Sequence, residues 1–264
     1  KYLAVAAESW WIAEQALRKI RPVFSGDGAV ESDAAMEALE AAHGAVDAQR
    51  TIDVGDADDL LARPDYAETY TVAPAVHAAI ETASATARFD GNTLELWIAA
   101  QAPEMTRRAA GKAIGLSPQD VVLYPTAAGG SFDARLERRH AIEVAQIAKE
   151  VGRPVQLTWP RVQEFQSVPV RTPVSARMEA AFVPASGGRI AAWRARLAMP
   201  ATAREFGRRL FGNKTAEAAM GHSEGEADVL ACEGAVPPYA IDNVAIDHLP
   251  VSLPFPTGRL RGNA

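Results

Sequence analysis

Two turns in the middle of the sequence carry residues that could bind a ligand. Gln101 ends the apolar run LELWIAA, and Gly129, Gly130, Ser131 and Phe132 lie in the turn AGGSF. A glutamine amide can donate a hydrogen bond to an oxo or carbonyl oxygen. Glycines let backbone N–H groups approach an anion, and a helix N-terminus favours negative charge. Together these residues predict a site for an anionic or oxo-bearing ligand.

The elements around the two turns would bring them together. Residues 94–158 read as strand, helix, strand, glycine turn, helix and strand, with helices predicted over 103–114 and 135–151 and a glycine after each. In α/β arrangements, ligands bind where strands end and helices begin. We therefore expect Gln101 and the 129–132 turn to face one cleft.

The rest of the chain predicts further short elements. Residues 1–24 suggest a strand, a helix capped by Ser9 and a short strand. The other expected elements are a helix from Ser32 or Asp33 to His43, a helical turn within 53–63, a strand from 66, a hairpin turning at Asp90-Gly91-Asn92, a second hairpin over 177–199, irregular helical chain over 200–232 and a strand over 239–249.

Composition excludes several classes of function. The formal charge is −6 with no block of lysine and arginine, which argues against a nucleic-acid surface. No apolar run approaches the roughly 20 residues that span a bilayer, so we expect no membrane span. The single cysteine, Cys232, excludes an intrachain disulfide and an iron–sulfur site within this chain.

No acid, base or nucleophile stands out. His77 and Glu81 form a His-x-x-x-Glu pair without a second histidine nearby, so structural hydrogen bonding is favoured over metal binding. His140 and Glu143 are predicted on a solvated helix face. Ser131 lacks the Gly-x-Ser-x-Gly elbow of a serine nucleophile. The chemistry is therefore expected from a cofactor or from a group elsewhere in the polypeptide.

Six segments, in order, resemble the large subunit of the molybdenum hydroxylases, the xanthine dehydrogenase and aldehyde oxidase family. They are AVAAESWWIAEQALRKIRPVF, TYTVAPAVHAAIETASATA, LELWIAAQAP, AGGSFDAR, VGRPVQLTWPRVQEF and RLRGNA. The branch that they resemble most is the isoquinoline 1-oxidoreductase beta-subunit type. The resemblance extends over nearly the whole chain.

The resemblance implies an α+β fold. Residues 1–24 would be the end of an α/β hammerhead domain, 25–63 a connector with a helix, and 64–264 the first molybdopterin-binding domain, with an incomplete cofactor site. Because the chain opens directly in an expected strand and stops just after Arg261, we expect a fragment of a longer polypeptide. Alone, this fragment is expected to hold no cofactor and to be inactive.

The resemblance also assigns residues to a molybdopterin cofactor, in its cytosine dinucleotide form, with molybdenum. Gln101 is implied to donate a hydrogen bond to an oxo ligand, and no residue of this chain is implied to ligate the metal. The implied cofactor contacts are Gly129, Gly130, Ser131, Phe132, Arg261 and Gly262.

The reaction implied by the family is hydroxylation of an electron-poor carbon in an aldehyde or N-heterocycle, with oxygen from water. Electrons would pass to [2Fe-2S] clusters on a small partner subunit, and the general-base glutamate would lie outside this chain. The implied partners are the remainder of its own polypeptide, that subunit, and a small aromatic or aldehyde substrate. The family is compatible with the bacterial cytoplasm or, after folded export, the periplasm.

The sequence departs from the family pattern in the glycine turn. Ser131, Asp133 and Ala134 replace family glycines or an arginine, and Asp133 adds a negative charge beside an anionic cofactor. Leu136 stands where purine-oxidising members have glutamate, which argues against a xanthine substrate. Two alternatives follow: a degenerate, non-catalytic interaction module of the same fold, and an unrelated phosphate- or nucleotide-binding α/β domain.

Overall fold

The protein is described by a computed structural model, which covers the chain apart from residues 1, 26–31, 46, 186, 203–204, 206–208, 211–226 and 261–264. The described part mixes helices and strands, as expected. It forms two compact units, one of residues 1–29 and 77–168 and the other of residues 30–76 and 169–264. Each unit combines two separate stretches, so the domain boundaries implied by the resemblance describe a different division and stay predictions.

The described helices and strands follow in chain order. The helices are α1 (Trp10–Ile20), α2 (Ser32–Ala45), α3 (Ala57–Leu60), α4 (Pro103–Ile114), α5 (Arg139–Val151) and α6 (Arg161–Ser167). The strands are β1 (Gln49–Val54), β2 (Tyr66–Val72), β3 (Ser84–Phe89), β4 (Leu94–Ile98), β5 (Val121–Pro125), β6 (Val155–Thr158), β7 (Val170–Arg171), β8 (Val174–Phe182), β9 (Ile190–Met199), β10 (Asn243–Pro250) and β11 (Thr257–Gly258).

The first unit is built on a four-stranded sheet in the order β5-β4-β3-β6. The predicted hairpin at Asp90 is confirmed: β3 and β4 are antiparallel, and the Asp90 carboxylate accepts hydrogen bonds from the N–H groups of Asn92 and Thr93. In β4, Leu94 and alternate residues after it are fully buried under α4 and α5, as a period of two requires. This apolar face holds both helices on the sheet.

Strand pairing in this sheet positions the two turns that the sequence singled out. β4 and β5 are parallel, with Ile98 opposite Pro125, and the N–H of Thr126 donates to the carbonyl of Ile98 at 3.1 Å. Parallel strands end at the same edge of a sheet. The chain after β4, which contains Gln101, therefore leaves the sheet beside the chain after β5.

The predicted helix over 103–114 is confirmed, and Gly115 ends it at a φ of 84°. The start predicted for the next helix is wrong: α5 begins at Arg139, and residues 134–136 form a single 3-10 turn. Phe132 and Asp133 have φ values of 52° and 74°, which no right-handed helix accommodates. The helix starts only after the chain has left that left-handed conformation.

The predicted exposure of His140 and Glu143 is also wrong, because both are buried, at 3% and 7% exposure. The His140 ring meets the Trp159 ring edge to face at 6.0 Å between centroids. Glu143 accepts hydrogen bonds from Trp159 Nε1 at 2.9 Å and from Arg139 Nε at 2.8 Å. The chain after β6 covers this helix face, which the sequence pattern of α5 alone does not show.

The N-terminal stretch is helical but contributes no strand among residues 2–25. Ser9 caps α1 as predicted, since its hydroxyl accepts from the N–H of Ile12 at 3.4 Å. The expected strands on either side are wrong. Side chains instead tie this stretch to the unit: the Tyr2 hydroxyl donates to Gln146 Oε1 at 2.7 Å, and Trp10 Nε1 donates to the carbonyl of Thr158 at 3.1 Å.

The second unit contains a five-stranded sheet in the order β1-β10-β9-β8-β2 and a two-stranded sheet of β7 and β11. The hairpin of β8 and β9, the strand β2 and the late strand β10 were predicted. Strand β1 was not, because its sequence is polar; it pairs with β10, and Arg50 bonds Asp247 at 2.5 Å across the pair. Helix α2 packs on β8 and β9. Most of the expected irregular helical segment over 200–232 lies outside the described residues.

Candidate functional site

The two turns predicted to form one site contact each other directly. The Ser131 hydroxyl donates to Gln101 Oε1 at 2.5 Å, and Gln101 Nε2 donates to Asp133 Oδ1 at 2.9 Å. The backbone N–H of Gln101 also donates to the carbonyl of Arg135 at 3.1 Å. The structure thus brings Gln101 to the glycine turn, as the sequence predicted, and fixes both its main chain and its side chain there.

The chemistry of these partners sets the orientation of the Gln101 amide. A carboxylate only accepts hydrogen bonds, so the NH₂ edge of the amide must face Asp133. The carbonyl oxygen then faces Ser131, whose hydroxyl acts as the donor. An NH₂ group has two hydrogens, and the bond to Asp133 uses one. One amide hydrogen of this exposed side chain is left for another acceptor.

The backbone of the glycine turn presents N–H groups in an unusual conformation. Gly130, Phe132 and Asp133 all have positive φ, at 94°, 52° and 74°. Among the described residues no acceptor is found for the N–H groups of Gly130 and Ser131. Successive N–H groups in such left-handed turns form concavities that bind anions. Phe132, 37% exposed, is held in a conformation that is rare for a bulky side chain, which is typical of functional turns.

Gly129 contributes to packing. A Cβ on Gly129 would lie 2.6 Å from Glu81 Cβ, so only glycine fits. Its N–H donates to Glu81 Oε2 at 2.7 Å, and its carbonyl accepts from the N–H of Glu81 at 3.1 Å. Glu81 thus has the structural role favoured for it from the sequence. Within the described part of the chain, no three histidine, cysteine or acidic side chains are grouped as metal ligands.

Arg135 is a residue of the site region that the sequence did not single out. It is 4% exposed, and its guanidinium donates to the carbonyls of Glu81 and Thr82 at 3.0 and 3.1 Å. Burial lowers its pKa, while the negative charges of Glu164 and Glu81 act in the opposite direction. A basic residue directly after a glycine turn was the available signal, because such a side chain can reach the carbonyls of a neighbouring loop.

The remaining predicted contacts, Arg261 and Gly262, lie outside the described residues. Their approach to Gln101 or to the glycine turn therefore stays a prediction. The described part of the predicted site is Gln101 with residues 129–132, all of which belong to the first compact unit.

The fold and these two joined turns agree with the comparisons to known proteins. The molybdopterin cofactor-binding domain family matches residues 40–226, which is most of the chain. The chain therefore belongs to this family, and it is a molybdopterin-binding domain of the molybdenum hydroxylase type. The alternative of an unrelated phosphate- or nucleotide-binding domain is wrong.

Individual relatives support the same branch. The chain is 28% identical over 142 residues to the isoquinoline 1-oxidoreductase subunit beta of Brevundimonas diminuta, covering 52% of this chain and 18% of that protein. It is 33% identical over 94 residues to the aldehyde oxidoreductase molybdenum-binding subunit PaoC of Escherichia coli strain K12, covering 35% and 13%. The matched regions are thus less than a fifth of the length of either relative.

Solved structures show the same fold at lower sequence identity. Quinoline 2-oxidoreductase from Pseudomonas putida 86 matches 97% of this chain and 32% of its own, with a TM-score of 0.65 and 18% identity. The aldehyde oxidoreductase from Desulfovibrio desulfuricans matches 85% and 24%, with a TM-score of 0.56 and 17% identity.

The residues present fit a molybdopterin cofactor in kind. The N–H groups of Gly130 and Ser131 and the remaining amide hydrogen of Gln101 are all donors, which suits oxo and phosphate oxygens. Gly130 has a φ of 94°, a conformation that favours glycine and lets its main chain take part in this turn. The one contrary feature is the charge of Asp133, and its carboxylate is already engaged by Gln101.

Proposed function

We propose that this chain is part of the molybdopterin-binding subunit of an oxidoreductase that hydroxylates an aldehyde or N-heterocyclic carbon using water. The observation that supports this most is the contact between Gln101 and the glycine turn. It places an amide donor beside the backbone donors of Gly130 and Ser131. The names of the relatives from Brevundimonas and Escherichia support an oxidoreductase of this substrate class.

In this proposal the bound cofactor supplies the redox chemistry, and the residues of this chain supply hydrogen bonds. The N–H groups of Gly130 and Ser131 would hold the cofactor, and Phe132, Arg261 and Gly262 are proposed as further contacts. The remaining hydrogen of the Gln101 amide would be available to an oxygen of the bound cofactor, where its partial positive charge would stabilise negative charge. Fixed donors of this kind stabilise developing charge without reorganising during the reaction.

Further parts of the proposal lie outside the chain. A small subunit with [2Fe-2S] clusters accepts the electrons, and a glutamate elsewhere in the polypeptide acts as general base. The cofactor is the cytosine dinucleotide form, and the substrate is a small aromatic or aldehyde compound.

No described helix is long and apolar enough to cross a membrane.

Substitution of Gln101 in the complete, cofactor-loaded protein tests the proposal. We expect Gln101→Ala to lower turnover per bound molybdenum about 100- to 1000-fold, the usual effect of removing one preorganised donor to developing charge, equal to about 2.7–4 kcal/mol. Molybdenum content should change little, because the backbone donors remain. Gln101→Glu should be worse, since it directs a negative charge at the same oxygen. Turnover by dye reduction and metal content by mass spectrometry measure both.

Gln156→Ala provides a matched control, because Gln156 is an exposed glutamine on β6 of the same unit. Its turnover per molybdenum should equal that of the unmodified protein. Unaltered turnover in Gln101→Ala would remove Gln101 from the site. A complete, folded protein without molybdenum or pterin would instead support the degenerate interaction module, which the charge of Asp133 favours.

A further inference from the structure

We propose that Asp133 and Ser131 are positioning residues that select which edge of the Gln101 amide faces the cofactor; this inference rests on the proposed function. Both side chains stand where the family pattern has glycine, and both bond to Gln101. The two departures from the pattern therefore act together on the residue that the family assigns to the oxo ligand.

The need for such a device follows from the shape of an amide. Its oxygen and nitrogen are nearly the same size, so a rotation of 180° about the last side-chain bond leaves its packing unchanged. The result for a ligand oxygen is opposite, because one edge donates and the other repels. Ser131 alone cannot select the edge, since a hydroxyl either donates or accepts. Asp133 can, because its carboxylate only accepts.

The geometry around Asp133 suits this role. Its bond to Gln101 Nε2 is 2.9 Å long, and the residue is only partly exposed, which limits competition from water. Its φ of 74° lies in the left-handed region, which aspartate tolerates better than most residues. A hydrogen bond to a charged acceptor is worth about 1.5–3 kcal/mol, which biases the amide roughly 10- to 150-fold towards one orientation.

Backbone hydrogen bonds also hold Gln101 and Ser131 in this arrangement. The Gln101 N–H donates to the carbonyl of Arg135 at 3.1 Å, and the N–H of Arg135 donates to Ser131 Oγ at 3.2 Å. The Ser131 hydroxyl therefore receives one hydrogen bond while it donates its own hydrogen to Gln101. This bond of Ser131 to Gln101 Oε1 complements the selection made by Asp133 at the other end of the amide.

The competing interpretation is that Asp133 only repels an anionic cofactor. The two interpretations predict opposite results for Asp133→Ala in the complete protein. If Asp133 positions Gln101, kcat per bound molybdenum should fall about tenfold or more, KM should change little, and molybdenum and pterin content should stay the same. If Asp133 only repels, metal content and turnover should both rise.

Asp133→Asn separates geometry from charge. The asparagine oxygen can still accept from Gln101 Nε2, but its NH₂ group can also donate to Gln101 Oε1, so selection of the edge weakens. Turnover per molybdenum should therefore lie between those of the unmodified protein and Asp133→Ala. As a matched control, Asp90→Ala removes another turn carboxylate that accepts two hydrogen bonds. It should leave turnover per molybdenum unchanged. Thermal unfolding of each variant confirms that the comparison is made between folded proteins.

A double variant tests whether Asp133 acts through Gln101. Adding Asp133→Ala to Gln101→Ala should cause no further loss of turnover, because the amide to be positioned is already absent. The same fold-loss in both backgrounds would overturn the inference, as would a rise in metal content in Asp133→Ala. If Gln101→Ala is itself without effect, the proposed role of Gln101 fails first, and the positioning role fails with it.

Discussion

At the scale of single residues, His140 shows how burial near the site changes the charge that a side chain can carry. Burial and, to a smaller extent, the nearby positive charge of Arg135 together lower its pKa from 6.5 to about 4. Its ring packs against Trp159, and its Nε2 has no hydrogen-bond partner among the described residues. His140 is therefore neutral at physiological pH.

The low pKa of His140 predicts a pH dependence of stability. The unfolded chain takes up a proton near pH 6.5 and the folded chain only near 4, so this contribution is full above 6.5 and is lost as the pH falls towards 4. The difference between the two pKa values corresponds to roughly 3 kcal/mol at most. His140→Phe keeps an aromatic ring at this position and should abolish this contribution to the pH dependence of the unfolding free energy. Urea unfolding at pH 7.5 and 4.5 measures the change in unfolding free energy between the two pH values. An equal change in the unmodified protein and in His140→Phe would contradict the prediction.

The residues that sequence could and could not identify differ in where their partners lie. Gln101 was predictable because it stands at the end of the apolar run LELWIAA, three residues after β4. The negative charge of Asp133 was noted from the sequence. Its bond to Gln101, however, depends on the positive φ values of Phe132 and Asp133, which the residue types in the turn do not predict. The burial of His140 depends on Trp159, which is 19 positions along the chain and on another element. The hydrophobic periodicity of α5 alone therefore cannot predict that contact.

At the scale of elements, α4 packs closely against β5, and these two elements follow Gln101 and precede the glycine turn. Gly111 lies in the interior of α4, and a Cβ there would stand 2.7 Å from Val121 Cγ2. Val121 is buried and β-branched, so it has little room to turn away. The helix can lie this close to the strand only because the residue facing it has no side chain.

Gly111→Ala should consequently destabilise the protein, although alanine is the better helix former. We expect about 1–3 kcal/mol of lost stability from overpacking. The double variant Gly111→Ala with Val121→Ala should lose less than the sum of the two single losses. Gly44→Ala in α2, where no atom lies within 4 Å, is the control and should not destabilise. The midpoint of denaturant unfolding of each variant measures these losses. A stabilised Gly111→Ala variant would refute this account of the contact between α4 and β5.

Sequence predicted these elements well where turn chemistry marks their ends and poorly where only tertiary contacts do. Gly115 and Gly152 mark the ends of α4 and α5, and both have positive φ in the structure. Strand β1 escaped prediction because its polar residues are paired across the sheet, as Arg50 is with Asp247. The N-terminal strands were expected from apolar residues alone, and none of the described strands pairs with residues 2–25.

At the scale of the whole molecule, the matched region is 18% of the length of the Brevundimonas relative, so most of a related subunit lies beyond it. We expect the 264 residues produced alone to contain no molybdenum and to reduce no dye, because other parts of the polypeptide complete the proposed cofactor site. The complete protein, purified in parallel, is the control. Stoichiometric molybdenum in the 264-residue chain would show that this domain suffices.

The pairing of the strands also sets an order in which the parts of this protein can form during synthesis. The bonds that join Gln101, Ser131, Glu81 and Gly129 connect residues 30 and 48 positions apart. Between β1 and β10, the Thr51 hydroxyl donates to the carbonyl of Ile246, 195 positions further along the chain. Loop closure favours the shorter separations. The turns of the proposed site can therefore form during synthesis, before the ribosome has made the central strands of the five-stranded sheet in the second unit.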